Sequence, residues 1–357
     1  MKRVLILQNK ILHYRKSLYN ELSKYYDITV LHSGSVSVSN DDLYHEIVTK
    51  SKKIGPFILQ SNVLKEVKSD KYDIVISMFD LRWINNILAM YMHNKNIKFI
   101  WWGAWFTNNF IANKIRLYLA SKKYACIFYT ADTRDSFIKK GISKHQLFVA
   151  NNTFNVDSRV KSYKNEIKTS ILFVGSLDKR KQNDILINAF ANIKDTIPNE
   201  VNLVIVGDGI EKNNLYDLVK KLQLEDRVFF EGKITDTNIL VNYYKEAVVS
   251  VSFGQAGLSV LQSLGYGVPF LTKSNAISGG EKTNIKHGIN GLFCDDDVKS
   301  LEKHLVEVCA NIEYARKLGK NAYDYYSEFC TIENMAQGFR DAIENTRLAK
   351  LDSKDLI

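Results

Sequence analysis

Between Ala247 and Pro269 the chain changes its hydrophobic period, and that change limits the folds open to it. Ala247–Ser252 (AVVSVS) is a short, β-branched apolar run suited to a buried strand. Gly254 and Gly257 then mark a tight loop. Leu258, Val260, Leu261 and Leu264 follow at helical spacing until Gly267-Val268-Pro269 stops the helix. A strand that passes through a glycine loop into a helix is one step of a parallel α/β sheet. It also places the backbone amides of Gly257, Leu258 and Ser259 at a helix N-terminus, where an anion can be held. An ordinary βα turn has the same pattern, so this segment alone leaves both readings open.

Two further segments share its logic. Ile171–Leu177 reads as a strand running into the turn Gly175-Ser176, followed by Asp178-Lys179-Arg180-Lys181 and a helix through Ile185, Leu186, Ala189 and Phe190. Arg180 and Lys181, at a strand's carboxyl end, suit a diphosphate, because charged hydrogen bonds to phosphate are the strong kind. Leu203–Val206 ends in Gly207-Asp208-Gly209 before another helical run. That turn is not a GxGxxG fingerprint, and the chain contains no GxxxxGK[ST]. In the N-terminal half, Val4–Leu7, Ile28–Leu31, Ile74–Met78, Ile97–Trp102, Cys126–Thr130 and Leu147–Asn151 read as strands, with helical patterns at Leu18–Ser23 and Trp83–Met92. The whole implies an α/β protein of two parallel-sheet domains, 1–160 and 168–332. The polar stretch Asn155–Ser170 is read as the linker. After Asp297 the pattern is helical at Leu301–Cys309, Ile312–Leu318 and Asn334–Ile343.

A length of 357 residues suits two such domains, and 45% apolar with 25% charged residues is an ordinary globular composition. No apolar run approaches the ~18 residues of a membrane span, and Met1–Asn9 reads as the first strand and not as a leader. Cys126, Cys294, Cys309 and Cys330 are scattered, as expected of buried free thiols in a reducing cytoplasm. The net charge of +10 is unevenly spread: Met1–Asn165 holds 26 Lys and Arg against 12 Asp and Glu, whereas the remainder is net acidic. The first half should therefore face something anionic. Lys114, Arg116, Lys122 and Lys123 share a helical segment with Phe110, Ile111, Ile115 and Leu119, which fits an anionic membrane surface or a solvated helix over a core. No nucleic-acid module is recognisable, so nucleic acid is not an expected partner. Asp295-Asp296-Asp297 is read as an acidic loop, His287 as part of a turn, and no histidine has metal-ligand spacing.

The order VGSLDKRK, LVIVGDG, VFFEGKI, GLSVLQSLGYGVPF and GGEKTNIKHGINGLF resembles the nucleotide-binding half of GT-B glycosyltransferases similar to glycosyltransferase family 4. The resemblance covers roughly Ile171–Asp297 and extends more loosely to HYRKSLYNEL, IWWGAWF and VANNTFN. It implies two Rossmann-like domains facing a cleft, with a C-terminal helix, about 335–357, returning to the N-terminal domain. It further implies that Lys181 grips the donor diphosphate beside Gly175 and Gly207. Ser176 stands where the family has an Arg, and Arg180 is the substitute. Gly232, Lys233 and Ile234 would meet the base through the main chain, and Gly257, Leu258 and Ser259 the phosphates. The family's glutamate pair is absent. The second position is Gln262, which can still hydrogen-bond a ribose, and the first falls at Gly254-Gln255. Glu281 is the nearest carboxylate and is expected near the donor sugar.

On the acceptor side, His13, Tyr14, Arg15 and Trp105 lie on loops that follow strands, where ligands of open α/β sheets bind. The resemblance implies retention of anomeric configuration. An inverting route would need a base, with His13 or Asp80 as candidates. The expected activity is transfer of a sugar from a UDP- or GDP-sugar to a glycan or polyprenyl-linked acceptor in bacterial surface polysaccharide assembly, of O-antigen, lipopolysaccharide or capsule. The enzyme would need no cofactor and no metal, and would sit peripherally on the inner face of the cytoplasmic membrane. A nucleotide-sugar epimerase of similar architecture and a non-catalytic, donor-binding partner subunit are the alternatives.

Overall fold

The computed structural model describes residues 1–103, 105–122, 125–157 and 159–344. Lys123 of the basic segment and residues 345–357 of the expected returning helix lie outside these. The chain divides into two units, Met1–Asn152 together with the segment from Ile332, and Thr153–Thr331.

The first unit contains β1 (Arg3–Leu7), α1 (Lys16–Ser23), β2 (Asp27–His32), β3 (His45–Val48), the hairpin β4 (Ser51–Ile54) and β5 (Phe57–Gln60), and α2 (Val63–Lys68). It continues with β6 (Ile74–Met78), α3 (Ile84–Met92), β7 (Lys98–Trp102), α4 (Phe110–Ser121), β8 (Ala125–Phe128), α5 (Ala131–Ile138) and β9 (Leu147–Val149). Seven strands form a parallel sheet in the order β3-β2-β1-β6-β7-β8-β9. Both faces are covered, which is why its strands read as unbroken apolar runs. Val4 and Ile6 belong to one core with Leu18 and Tyr19 of α1. Leu5 and Leu7 belong to the other, with Val67 of α2, Met90 of α3, Leu119 of α4 and Phe137 of α5.

The strands β3, β4 and β5 go beyond the sequence expectation. β3 is a half-exposed edge strand, β4 (SKKI) is wholly exposed, and neither has an apolar stripe for the pattern to register. A further difference is α4. Its Arg116 turns inward, donating to Thr107 Oγ1 at 3.2 Å and Asn113 Oδ1 at 3.1 Å, while Phe110, Ile111 and Ile115 face outward. The apolar set expected over the core is thus largely on the outside.

The second unit contains β10 (Ser170–Val174), α6 (Asn183–Ile193), β11 (Asn202–Val206), α7 (Lys212–Lys221), β12 (Val228–Gly232), α8 (Thr237–Glu246) and β13 (Ala247–Val251). It ends with α9 (Ser259–Gly265), β14 (Phe270–Lys273), β15 (Gly291–Cys294), α10 (Val298–Ala310) and α11 (Ile312–Phe329). Its parallel sheet has the order β12-β11-β10-β13-β14-β15. Helix α11 runs well past Leu318, because Ala315, Leu318, Ala322 and Tyr326 keep one buried stripe along its length. The last described helix, α12 (Ile332–Glu344), returns to the first unit. There Met335, Phe339 and Ile343 complete the core shared by Val4 and Ile6, with the Phe339 ring edge-on to Trp102 at 4.8 Å.

The polar segment after Asn152 is held against the second unit and is not a free tether. Tyr326 donates its hydroxyl to the Phe154 carbonyl at 2.6 Å, Ser162 N–H donates to Tyr266 O at 2.9 Å, and Val156 is buried beside α9 and α11. Lys168 is pinned by its ammonium, which donates to the carbonyls of Lys245 (3.0 Å) and Ala247 (2.8 Å). All four cysteines named above are buried free thiols. Among the described residues no helix is long and apolar enough to cross a membrane.

Burial of the Lys168 ammonium, with Arg316 nearby, lowers its pKa from the ordinary 10.5 to about 7. Between those values the unfolded chain binds a proton that the folded chain does not, so this group makes stability rise as pH is raised from about 7 toward 10. Urea denaturation at pH 7 and pH 9 should show that rise for the wild type and a smaller one for Lys168→Met. An identical pH dependence in the variant would show that Lys168 keeps its ordinary affinity for the proton.

Candidate functional site

The loops at the carboxyl ends of β10, β11 and β13 meet main chain to main chain. Gly175 N–H donates to Val206 O at 3.0 Å, Leu177 N–H to Asp208 O at 3.0 Å, and Gly254 N–H to Lys181 O at 3.1 Å. Glycine permits this approach. A Cβ on Gly207 would lie 1.8 Å from the Gly175 carbonyl oxygen, and one on Gly254 would lie 2.2 Å from that of Arg180. The loop after β12 joins the set through Gly207 N–H, which donates to Gly232 O at 2.7 Å.

Lys181 closes a single 3-10 turn, Lys179–Lys181, that Asp178 caps by accepting from Arg180 N–H at 3.1 Å. Its side chain is 8% exposed, and its ammonium donates to Gln255 O at 3.3 Å. Burial lowers its pKa, opposed by the charges of Asp178 and Glu281 and reinforced by Arg180. Lys181 is therefore an incompletely compensated cation at the carboxyl edge of the sheet, the kind of group an anionic ligand stabilises. Glu281, also buried, accepts from Gly279 N–H at 2.9 Å and Ser278 Oγ at 3.3 Å. The structure thus brings Lys181, Glu281 and the Gly254–Gln255 loop together.

Arg180 is placed differently. Its exposed guanidinium holds Asp178 through Nε at 3.2 Å and Nη2 at 2.9 Å, and Ser176 Oγ donates to the same carboxylate at 2.8 Å. That pairing and Ser176 keep the Asp178 carboxyl below its ordinary range. An exposed pair of this sort is weak, so Arg180 can exchange Asp178 for a ligand oxygen at little cost. Gly257, Leu258 and Ser259 open α9, and their amides have no backbone acceptor among the described residues. Gln262 lies inside the unit, accepting from the Tyr244 hydroxyl at 3.3 Å, with its amide nitrogen unpartnered. After β12, Gly232 has a φ of 69°, Lys233 is exposed and Ile234 half-buried.

The acceptor-side candidates belong to the first unit. Arg15 is buried, its guanidinium 4.8 Å from the Trp102 ring centroid and donating to the Tyr129 hydroxyl at 3.1 Å. It braces the loop after β1 instead of presenting a free cation. His13 is exposed against the edge of the half-buried Tyr14, and Trp105 is 43% exposed. Burial alone would raise the Asp80 carboxyl, but hydrogen bonds from Arg82 and the charges of Arg82 and Arg116 hold it below the ordinary range. It is poorly suited to take a proton. In the second unit, Asp296 pairs with Lys273 at 2.6 Å and Asp297 caps α10.

One contact of the site has no sequence signal. The Gln255 carbonyl receives Lys181 through the main chain, which no residue type announces. A cavity of about 460 Å³ beside the Asp178–Asp184 turn is lined by Gln182, Asn183, Glu211 and Asn214, and the buried Asn183 amide has no partner.

Fold and sequence comparisons agree with this organisation. The structure of Anabaena HepE in complex with UDP superposes with a TM-score of 0.75 at 17% identity, covering 96% of this chain and 100% of that one. Residues 156–325, nearly all of the second unit, match the family described as Glycosyl transferases group 1. These findings establish the fold as GT-B, with a second unit that matches the group 1 glycosyl transferases. More particularly, the chain resembles glycosyltransferase family 4 and is 29% identical over 253 residues to an uncharacterized glycosyltransferase of Haemophilus influenzae, covering 69% of each chain. It is also 25% identical over 336 residues to a Campylobacter jejuni alpha-1,4-N-acetyl-D-galactosaminyltransferase named for a GalNAc-containing, diNAcBac-PP-undecaprenol-linked glycan, covering 88% of this chain and 89% of that one.

A side chain at Gly254 would strike the Arg180 carbonyl. Gly254→Ala should therefore lower stability by about 1–3 kcal/mol, read as a fall in Tm. Gly257→Ala, whose Cβ meets open space, should leave Tm within a degree or so. Equal Tm for Gly254→Ala and wild type would show that the loop yields freely.

Proposed function

We propose that the protein transfers a sugar from a nucleotide-diphosphate donor, UDP- or GDP-linked, to a lipid-linked oligosaccharide in bacterial surface polysaccharide assembly. The observation that carries the donor half of this reading is Lys181, a buried, undercompensated cation held on the Gln255 carbonyl, two residues ahead of the amides that open α9. Negative charge grows on the leaving diphosphate as the glycosidic bond breaks, and preorganised cations and N–H groups aimed there lower the barrier. Lys181 and the Gly257–Ser259 amides would hold the phosphates, Arg180 would move from Asp178 onto them, and Gly232–Ile234 would face the base. Glu281, in electrostatic reach of Lys181, would face the donor sugar. The acceptor hydroxyl forms the new bond to the anomeric carbon and its proton leaves with the diphosphate, so retention needs no strong base on the protein. Asp80, held ionised by Arg82, suits that route better than one requiring an enzymatic base.

The lipid-linked acceptor is supported by the Campylobacter jejuni relative, whose name specifies an undecaprenol diphosphate-linked glycan, and by the basic first half of the chain. The enzyme would then work peripherally on the inner face of the cytoplasmic membrane, with His13, Tyr14 and Trp105 toward the acceptor.

Lys181→Ala should lose a charged hydrogen bond worth about 1.5–3 kcal/mol, and so roughly 10- to 100-fold in kcat/KM for nucleotide-sugar turnover. Arg180→Ala should lose less. Unchanged kinetics in a folded Lys181 variant would falsify the diphosphate assignment. Because protein cations neutralise the leaving group, turnover should persist in EDTA. A complete loss that magnesium or manganese restores would overturn that scheme.

A further inference from the structure

We infer that the outward faces of α3 and α4 form a surface that inserts its apolar side chains into an anionic lipid interface. Helix α4 wears its polarity inside out. Arg116 is buried against Thr107 and Asn113, whereas Phe110 and Ile111 are 70% and 71% exposed and Ile115 and Tyr118 are exposed beside them. Helix α3 continues the patch. Tyr91 and Tyr118 lie near enough to interact electrostatically, so exposed Leu88, Tyr91 and Met92 adjoin the α4 stripe. A contiguous apolar patch of this kind marks a contact surface, not a solvated face.

Charge names the occupant. From Leu81 to Ala131 the sequence has no acidic residue and seven basic ones: Arg82, Lys95, Lys98, Lys114, Arg116, Lys122 and Lys123. Lys114 lies over the Phe110 ring at 4.5 Å and Lys122 over the Tyr118 ring at 5.3 Å. Each stem lies along the apolar surface with its ammonium free to reach headgroup level, the snorkelling arrangement of interfacial helices. A water-soluble partner would match the apolar stripe but would not call for basic residues alone along both helices and the segment between them. An anionic bilayer calls for both. The surface gives the lipid-linked acceptor reading a means of reaching its substrate, and it stands on geometry separate from the donor loops.

Sedimentation of the full chain with phosphatidylcholine vesicles, with and without phosphatidylglycerol, tests this. Wild type should bind the anionic vesicles and retain part of that binding at high salt, because insertion is not screened. Phe110→Ser with Ile111→Ser, at positions already exposed, should weaken binding about 100-fold at any salt. Lys114→Glu with Lys122→Glu should weaken it mainly at low salt. UDP affinity should be the same in all three proteins. Binding by the double serine variant equal to wild type, or no binding by wild type, would overturn the inference. So would a concentration-dependent dimer in gel filtration that the serine pair dissolves, since the face would then be covered by a second copy. Vesicle binding without turnover of any nucleotide sugar would instead count against the proposed function alone.

Discussion

The close approach of main chain to main chain at the carboxyl edge of the second sheet is the constraint on which the candidate site rests. Gly207 against Gly175, and Gly254 against Arg180, leave no room for a β-carbon, so the loops pack as bare backbone. That packing carries Lys181 inward until its ammonium meets the Gln255 carbonyl. A cation brought there by backbone geometry is already desolvated before any ligand arrives. The cost of removing it from water is met in folding, and none of it is charged to binding. Strength of this kind comes from placement more than from the number of charges. Arg180 makes the contrast, since it sits in solvent on Asp178 and must change partners to act.

The same constraint bears on one of the two places, Gly254-Gln255 and Gln262, where the resemblance puts the family's glutamates. Gly254 is the glycine that lets the loops close, and Gln262 is turned into the interior against Tyr244. Glu281 is the carboxylate that remains in electrostatic reach of Lys181. Glu281 lies on the loop after β14, with its own cradle of Gly279 and Ser278.

Much of this was legible in the residues. The parallel strands announce themselves because burial on both faces removes polar positions, as in Val4–Leu7 and Leu203–Val206, and the glycine loops announce themselves because only glycine tolerates such contact. What stayed hidden was tertiary. β4 carries no hydrophobic stripe, so only its pairing with β5 reveals it. Asn155–Ser170 looks like a tether because its anchors are carbonyls and a few isolated side chains such as Val156 and Tyr163. Periodicity placed α4 correctly as a helix but could not say which of its stripes faces in, and the buried Arg116 reverses the usual assumption. The Asp178 clamp on Ser176 and Arg180 was readable in principle, since an Asp ahead of a short basic turn is a capping signal.

Helix α12 imposes an order on biosynthesis. The core beneath Val4, Ile6 and Ile28 is completed by Met335, Phe339 and Ile343, residues made after the entire second unit. A nascent chain that has emerged through Asn152 holds every strand of the first sheet yet lacks the cover for much of one face. The second unit, continuous from Thr153 to Thr331, has no such dependence and can close as soon as α11 is free. The unit translated first is therefore the one finished last, and its apolar face must be shielded, by the ribosome's surroundings or by chaperones, for the time it takes to synthesise the intervening polypeptide.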